Sequence, residues 1–340
     1  MDPSLQPREL APVDPVPWRG FLRQWGISIA SLASGLLTLF FFRRGVPHVG
    51  WIVGYVVVLW LLFLVLGQAR AALLTRGRRV VVAAGDYTIQ TLYHGLLLFV
   101  VPGYFASTTF DAVTVVFFVV LAAAALLTTV DPWYHALVHP RPWLGVLFFG
   151  FSLFAGLNVA LPLVGVAPAG AVVGSAMLAA LGLAPTYLAR EGPRLRSAAR
   201  AGAVVALAGL AAWAVRPAIP PAPLSLVRPT LARDVLDLEP VDPVARATVE
   251  ELRAWGGLVA FTPVAAPATL RQPIEHRWRH DGRVVSTVRL PTPVRGGRLG
   301  GFRTYSRKTD FPPAAHGRWT VDVVTASGQL IGRVRFRVDP

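Results

Sequence analysis

Cysteine is absent from the 340 residues of this chain. Its absence excludes disulfide bonds, thiolate metal sites, c-type haem attachment and cysteine nucleophiles. Charged residues are scarce as well, because Asp, Glu, Lys and Arg make up only 15% of the chain, against roughly 25% in ordinary soluble domains. Few charges lie between Trp25 and Val215, whereas many follow Arg216. The chain therefore divides into a segment suited to lipid and a segment suited to water.

Lysine is nearly absent, since Lys308 is the only one and arginine supplies almost all of the formal net charge of +15. A basic chain can bind nucleic acid, but membrane topology and anionic envelope surfaces explain this distribution better. The sequence has no G-x-S-x-G elbow, no P-loop, no H-E-x-x-H helix and no paired carboxylates within one segment. We therefore predict no catalytic residue and no cofactor.

Long apolar runs fill the first two thirds of the chain. A helix that crosses a membrane needs about 20 mostly apolar residues, and seven segments qualify. We therefore predict a cytoplasmic N-terminal segment over residues 1–24 and a transmembrane bundle over 25–215. No small-residue cleavage site follows the first span, which predicts a retained signal anchor. The predicted spans are Trp25–Phe42, His48–Gly67, Ile89–Ser107, Ala112–Val130, Trp143–Val166, Ala169–Leu188 and Ala198–Val215.

The distribution of arginine between alternate loops predicts the orientation, because cytoplasmic loops are enriched in Lys and Arg. Twelve arginines lie in the N-terminal segment and the loops on its side, from Arg8 to Arg200, whereas Arg43 and Arg44 are the two on the other side before the last span ends. This asymmetry predicts a cytoplasmic N-terminus. An odd number of spans then puts everything after Val215 outside the cytoplasm.

Polar residues inside the predicted spans are candidates for function, because an unpaired polar group in lipid costs several kcal/mol. His94 in the third span and Asn158 in the fifth are the deepest. Hydrogen bonding between helices is the expected role, and a proton or substrate site is the alternative. Small residues at Gly170 and Gly174, and again along the seventh span, predict close helix packing or a face for a homo-oligomer.

Asp131, His135 and His139 recur every four residues, so a helix places them on one face. That face is a candidate for a divalent metal site, with carboxylate and imidazole ligands. The alternative is a turn at the membrane interface, in which Trp133 and Tyr134 belong to the aromatic belt.

The C-terminal third changes in pattern. Residues 216–255 predict a proline-rich linker with a short helix, the helix lying between Asp234 and Trp255. Residues 256–340 then alternate with a period of two, which predicts a small antiparallel sandwich of immunoglobulin-like shape, with an open barrel as the alternative. Asp281-Gly282 and Ser327-Gly328 predict hairpin turns. The predicted strands are Leu258–Val264, Ile274–His280, Arg283–Leu290, Gly301–Thr309, Arg318–Thr325 and Leu330–Val338.

Four motifs of this segment resemble the bacterial family called domain of unknown function 2914. They are His276-Arg-Trp278, the run from Gly301 to Lys308, Gly317-Arg-Trp319-Thr-Val-Asp-Val, and the run from Gly328 to Phe336. Members of that family often carry such a module after several membrane helices. The resemblance implies this architecture and no catalytic residues. With the predicted orientation, it implies a protein of the bacterial inner membrane whose C-terminal module lies in the periplasm.

The predicted module is basic: from Arg271 onward it has fourteen Arg or Lys and five Asp or Glu. The excess predicts a surface for an anionic partner, with a solvated basic face as the alternative. The predicted function is a non-catalytic periplasmic domain that binds or scaffolds an envelope protein or anionic polymer; a membrane-embedded enzyme or transporter is the alternative. Nucleic acid is not expected, because the module lies outside the cytoplasm. The predicted surface consists of Arg303, Tyr305, Lys308, Arg333, Arg335 and Arg337.

Overall fold

The computed structural model describes residues 49–138, 140–191, 195–298 and 300–340. The predicted N-terminal segment 1–24 and the predicted first span, Trp25–Phe42, lie outside these residues. Among the described residues, five helices are long and apolar enough to cross a membrane. A sixth crossing is formed if two bent helices count as one span. The chain is thus a membrane protein with a helical N-terminal part.

The helices follow the predicted apolar runs from the second to the seventh. Most of them extend beyond the runs, because a helix can continue into water after its apolar stretch has crossed the lipid. α1 continues past Gly67 and α2 begins ten residues before Ile89; Arg70 and Asp86 pair across these extensions at 3.0 Å. The helices of the bundle are α1 Val49–Thr75, α2 Arg79–Ser107, α3 Thr114–Thr129, α4 Asp131–Leu137, α5 Pro142–Leu163, α6 Pro168–Glu191 and α7 Leu195–Val215.

The chain bends by 105° between α3 and α4. Val130 is extended there, and Pro132 lies at the start of α4. Proline has no N–H to continue the hydrogen-bonding pattern of α3, and it is well tolerated in a first helical turn, so one helix ends and another begins. The segment that carries Asp131 and His135 is therefore a short helix that leaves the direction of the span.

The C-terminal part is mostly β. A four-stranded sheet has the order β11-β5-β2-β3 and a five-stranded sheet the order β4-β13-β12-β8-β9, with β1-β6 and β7-β10 as two-stranded ribbons. Neighbouring strands are antiparallel except β4 and β13. The strands are β1 Ser225–Leu226, β2 Thr230–Leu236, β3 Glu239–Val244, β4 Arg246–Thr248, β5 Leu258–Phe261, β6 Val264–Ala265, β7 Arg271–Gln272, β8 Ile274–His280, β9 Arg283–Arg289, β10 Val294–Arg295, β11 Tyr305–Lys308, β12 Gly317–Thr325 and β13 Leu330–Asp339.

The two larger sheets share one hydrophobic core. Leu231 and Leu258 of the four-stranded sheet pack in the same cluster as Trp278, Trp319 and Phe336 of the five-stranded sheet. The two tryptophans are fully buried. The alternation predicted for β12 and β13 follows from this arrangement, because every second residue of a strand points into the core.

Both predicted hairpins are confirmed. β8 and β9 are joined at Asp281-Gly282, where φ is +45° and +83°, and Gly328 in the turn between β12 and β13 has φ of +87°. Tight hairpin turns need such positive φ angles, which Asp and Gly tolerate best.

The prediction for residues 216–255 was wrong in part. A helix does form, α8 at Val249–Ala254, and its N-terminus is closed by a capping box between Thr248 and Glu251. The residues before it, however, form β1 to β4, and β2 pairs with β5 in the four-stranded sheet. This part of the predicted linker therefore belongs to the β-domain.

The β-domain rests on one end of the helical bundle. Thr269 Oγ1 donates to the carbonyl of Leu163 at the end of α5, at 2.7 Å. Arg216, after the end of α7, donates to the carbonyl of Ser327 at 3.1 Å. Asp111, between α2 and α3, pairs with Arg333 of β13. These three contacts come from different loops, so we conclude that the α2–α3 loop, the α5–α6 loop and the end of α7 meet at the same end of the bundle.

Candidate functional site

Strand register collects arginines on the outer side of the five-stranded sheet. Residues directly opposite each other on paired strands share a face, and Arg337 lies opposite both Arg246 and Arg318. The same face carries three carboxylates, those of Glu275, Asp322 and Asp339, against eight guanidinium groups. We call this surface the arginine face; its arginines are Arg246, Arg277, Arg279, Arg289, Arg318, Arg333, Arg335 and Arg337.

The part of the arginine face near the helices is neutralised within the molecule. Asp322 is almost fully buried and accepts from Arg279 Nε at 2.9 Å and from Arg333 Nε at 2.5 Å. Arg333 also reaches Asp111 through Nη1 at 3.1 Å, and Arg335 Nε contacts the same carboxylate at 3.1 Å. A continuous chain of charges therefore joins the β-domain to the α2–α3 loop.

Asp111 links this series of charged groups to the α2–α3 loop. Arg333 and Arg335 determine the protonation state of its carboxyl group. Partial burial acts to raise the pKa of its carboxyl, but hydrogen bonds from Arg335 and Arg333 and their positive charges outweigh burial. The pKa of Asp111 therefore lies below its usual value. The carboxylate stays ionised well into the acidic range and continues to hold both arginines.

The other end of the arginine face is free of the helices. Arg337 lies four residues beyond Arg333 along β13, or roughly 13 Å at 3.3 Å per residue. Its side chain is 68% exposed and contacts Asp339 of its own strand at 3.3 Å. Arg246 and Arg318 are exposed beside it, and no ion pair of theirs is found within the described ranges. We call Arg246, Arg318 and Arg337 the distal row.

The six residues predicted as a partner surface do not lie together. Arg333, Arg335 and Arg337 belong to the arginine face, whereas Tyr305 and Lys308 lie on β11 of the other sheet. Arg303 pairs with Glu239. Lys308 is buried over the ring of Phe311, with Nζ 5.4 Å from its centre, and burial lowers the pKa of its amine. Sequence reasoning missed Arg246 and Arg318, which only the register of β4, β12 and β13 places beside Arg337.

The intramembrane polar residues take part in separate contacts between helices. His94 of α2 lies 3.0 Å from Thr129 Oγ1 of α3 through Nδ1. Asn158 of α5 donates to the Tyr104 hydroxyl at 2.9 Å, and that hydroxyl donates to the carbonyl of Ala155. These bonds tie α2 to α3 and α2 to α5, as expected for polar groups that fix a bundle.

Gln90, which sequence reasoning missed, binds the start of α4. Its side-chain nitrogen donates to Asp131 Oδ1 at 2.6 Å and to the carbonyl of Thr128 at 3.3 Å. Asp131 thus contacts α2, while His135 is exposed on α4. His139 lies outside the described residues. No group of three or more potential ligands that could hold a metal is found in the described part of the chain, and the three-residue metal site stays a prediction because one of its members is not described.

A cavity of about 590 Å³ lies beside this region, between α1, α2, α4, α5 and α6. Its wall is mostly apolar, and the ion pair of Arg70 and Asp86 belongs to its lining. Tyr93 also lines it; this side chain is 1% exposed, and its hydroxyl has no hydrogen-bond partner among the residues that the structure describes. A buried hydroxyl without a partner is unusual in a folded protein, so this cavity is a second candidate for a binding site.

A serine–histidine contact in the β-domain has the composition of a nucleophile and its base. Ser306 Oγ lies 2.8 Å from His276 Nδ1, and Thr262 Oγ1 lies 2.9 Å from His276 Nε2. His276 is fully buried, however, and Trp278 Nε1 donates to the same serine oxygen at 3.1 Å. Burial lowers the pKa of His276 to about 4. The contact joins β8, β11 and the residue that follows β5 inside the core, where a substrate has no access.

Comparison with known protein families covers nearly all of the described chain. A model described as "Family of unknown function (DUF5924)" matches residues 20–260 of the 340. The chain belongs to this family. A second model, "Protein of unknown function (DUF2914)", matches residues 271–338 and confirms the resemblance found in the sequence motifs. No curated protein and no solved structure matches the chain.

The two matched segments of this DUF5924 protein build one β-domain together. In the four-stranded sheet, β2, β3 and β5 come from the first segment and β11 from the second. In the five-stranded sheet, β4 of the first segment pairs with β13 of the second. Arg246, in the distal row, is therefore supplied by the DUF5924 segment, whereas Arg318 and Arg337 are supplied by the DUF2914 module.

Proposed function

We propose that this chain is a seven-span protein of the bacterial inner membrane that presents an immunoglobulin-like periplasmic domain, without catalytic activity, to an anionic polymer of the cell envelope. The excess of arginine in one set of loops supports the orientation. The contacts of the β-domain with the α2–α3 loop and the α5–α6 loop support it too, because both loops belong to the arginine-poor set.

The observation that carries the proposal is the distal row. Arg246, Arg318 and Arg337 lie on three adjacent strands, which are spaced about 4.8 Å apart. Like charges directly opposite each other in a sheet repel, and an anion shared between them removes this repulsion. Guanidinium groups also bind carboxylate and phosphate through paired hydrogen bonds. The row therefore suits a ligand with repeated negative charges.

A polymer suits this surface better than a folded protein. Protein interfaces are centred on buried aromatic and apolar side chains. The described outer side of β4, β12 and β13 has no exposed large apolar side chain. If the distal row instead bound an acidic protein and no polymer, the partner would be a protein and this part of the proposal would be wrong.

The test uses the full chain in detergent with poly-glutamate and polyphosphate as probes and neutral dextran as a blank. We expect salt-sensitive binding that weakens about tenfold in the variant R246Q/R318Q/R337Q, since exposed ion pairs contribute about 0.2–1 kcal/mol each. The matched control R228Q/R233Q/R253Q removes three other exposed arginines of the β-domain and should bind as the wild type does. If both variants bind the probes equally weakly, the distal row is not a specific binding site.

A second candidate function rests on the cavity that Tyr93 lines. Its apolar wall and buried hydroxyl suit an amphiphilic molecule held inside the bundle, as in a membrane enzyme or transporter. This function requires that an amphiphile co-purifies with the wild type and is lost in Tyr93→Phe. Tyr87→Phe, which replaces an exposed tyrosine, is the control and should retain the amphiphile. Equal lipid content in both proteins refutes it.

A further inference from the structure

A second group of arginines lies on the β-domain where it meets the helices. Arg271 of β7 and Arg295 of β10 are directly opposite each other in their ribbon, and both are exposed. Arg298, just after β10, is exposed as well. We call these three residues the arginine ribbon. It shares no residue with the arginine face.

The loops around the arginine ribbon pack tightly against each other. The N–H of Gly297 donates to the carbonyl of Ala266 at 3.1 Å. A side chain at Gly296 would collide with the backbone of Pro267. These contacts join the loop before β7 to the loop after β10, so Arg298 is held beside the loop that contains Thr269.

Thr269 ties this unit to the end of α5, the level at which a membrane-spanning helix of this length would meet the lipid headgroups. It donates to the carbonyl of Leu163, the last residue of α5. α5 has 22 residues, or about 33 Å at 1.5 Å per residue, which matches a hydrocarbon core of about 30 Å. Arg271 follows Thr269 by two residues, roughly 7 Å of chain, and a headgroup layer is also about 7 Å thick.

An exposed tryptophan lies at the same end of the bundle. Trp213, near the end of α7, is 47% exposed and stacks under Arg216, whose Cζ lies 3.8 Å from the ring centre. Tryptophan side chains are enriched where hydrocarbon meets water.

The sequence segments around the arginine ribbon lack carboxylates. The sequence has no Asp or Glu in residues 256–274 or 290–302. None of the three guanidinium groups has an ion pair within the described part of the chain, and the opposed pair Arg271 and Arg295 repels across the strands. Lipid phosphate is the anion present at this depth.

From the juxtaposition of the arginine ribbon with the end of α5, we propose that Arg271, Arg295 and Arg298 bind the headgroups of anionic phospholipids in the adjacent leaflet. This site is separate from the polymer-binding row and does not depend on it. Lipid contacts at the arginine ribbon would hold the β-domain against the membrane surface. Asp111 holds it in a different way, through ion pairs within the protein.

The test compares the full chain in nanodiscs of phosphatidylcholine with and without phosphatidylglycerol. Hydrogen exchange of the segment 266–298 is measured together with the phosphatidylglycerol that stays bound on extraction. We expect anionic lipid to slow exchange in the wild type. In R271Q/R295Q/R298Q we expect phosphatidylglycerol retention to fall about tenfold or more, because each arginine near a membrane surface contributes about 1 kcal/mol.

The control is R246Q/R318Q/R337Q, which removes the same charge from the distal row and should keep its lipid response. An unchanged lipid response in the ribbon variant, or an equal loss in the control, overturns the proposal. Inorganic phosphate added to phosphatidylcholine nanodiscs at matched ionic strength is a further arm; equal protection by free phosphate overturns the assignment to lipid. Because polymer binding uses other arginines, either proposal can fail while the other stands.

Discussion

His276 makes the stability of the β-domain dependent on pH. Its imidazole is enclosed between Thr262 and Ser306, and burial lowers its pKa from 6.5 to about 4. As the pH falls below 6.5, the unfolded chain takes up a proton that the folded domain does not. The contribution of this histidine to stability is therefore complete above pH 6.5 and is lost as the pH falls towards 4.

The size of the effect follows from the two pKa values. Each unit of difference is worth about 1.36 kcal/mol, so the full shift costs about 3 kcal/mol at low pH and about 2 kcal/mol at pH 5. We expect the free energy of unfolding of the β-domain to fall by about 2 kcal/mol between pH 7 and pH 5 on account of His276 alone.

The assay is chemical denaturation of the full chain in detergent, followed by near-ultraviolet circular dichroism. Trp278 and Trp319 are fully buried in the β-domain core and report its packing. His276→Gln removes the titrating group, so its stability should be lower at pH 7 but should decline less than that of the wild type on acidification. Parallel declines in the two proteins would refute a neutral, buried His276.

Three further substitutions test other features of the structure. Asp322→Asn leaves Arg279 and Arg333 without their buried carboxylate and should destabilise the β-domain by about 3 kcal/mol; a loss below about 1 kcal/mol in the same denaturation assay would contradict this. Asp111→Asn should speed hydrogen exchange in β13 near Arg333 while leaving β5 unchanged, and unaltered exchange in β13 would show that the loop contact does not steady the domain. Gly257→Ala places a methyl group at a φ of +121° against the backbone of Lys308, so the unfolding free energy should fall by about 1–3 kcal/mol. Gly282→Ala is the matched control for the contact with Lys308, because Gly282 also has a positive φ, +83°, but open space around it; it should lose less stability than Gly257→Ala.

Local patterns predicted much of the secondary structure. Apolar and polar residues alternate along β8, β12 and β13, and the turn at Asp281-Gly282 has its own short motif. Both signals depend only on residues close together in the chain, so the sequence alone predicts them. Strand β3 was missed because Pro240 and Pro243 interrupt its expected pattern, and β2, which pairs with it, was missed with it. The turn between β2 and β3 consists of Asp237 and Leu238, both at positive φ. It contains no glycine, so the sequence carries no clear turn signal there.

The long-range contacts could not be predicted in the same way. Arg333 and Asp111 are 222 residues apart, and no spacing rule connects a short loop between helices with the outer side of a distant strand. Arg246 joins the distal row only because β4 pairs in parallel with β13. Single sequences carry little information on such pairings, since they depend on how the sheets assemble.

The shared sheets have a practical consequence for the two family segments. Residues 271–338 expressed alone would retain β8, β9, β12 and β13 but would deprive β11 of β5 and leave the tryptophan core uncovered on one side. Such a fragment should aggregate through its open strand edges. In this chain the DUF2914 module therefore depends on strands of the DUF5924 segment, β5 beside β11 and β4 beside β13, to complete its sheets.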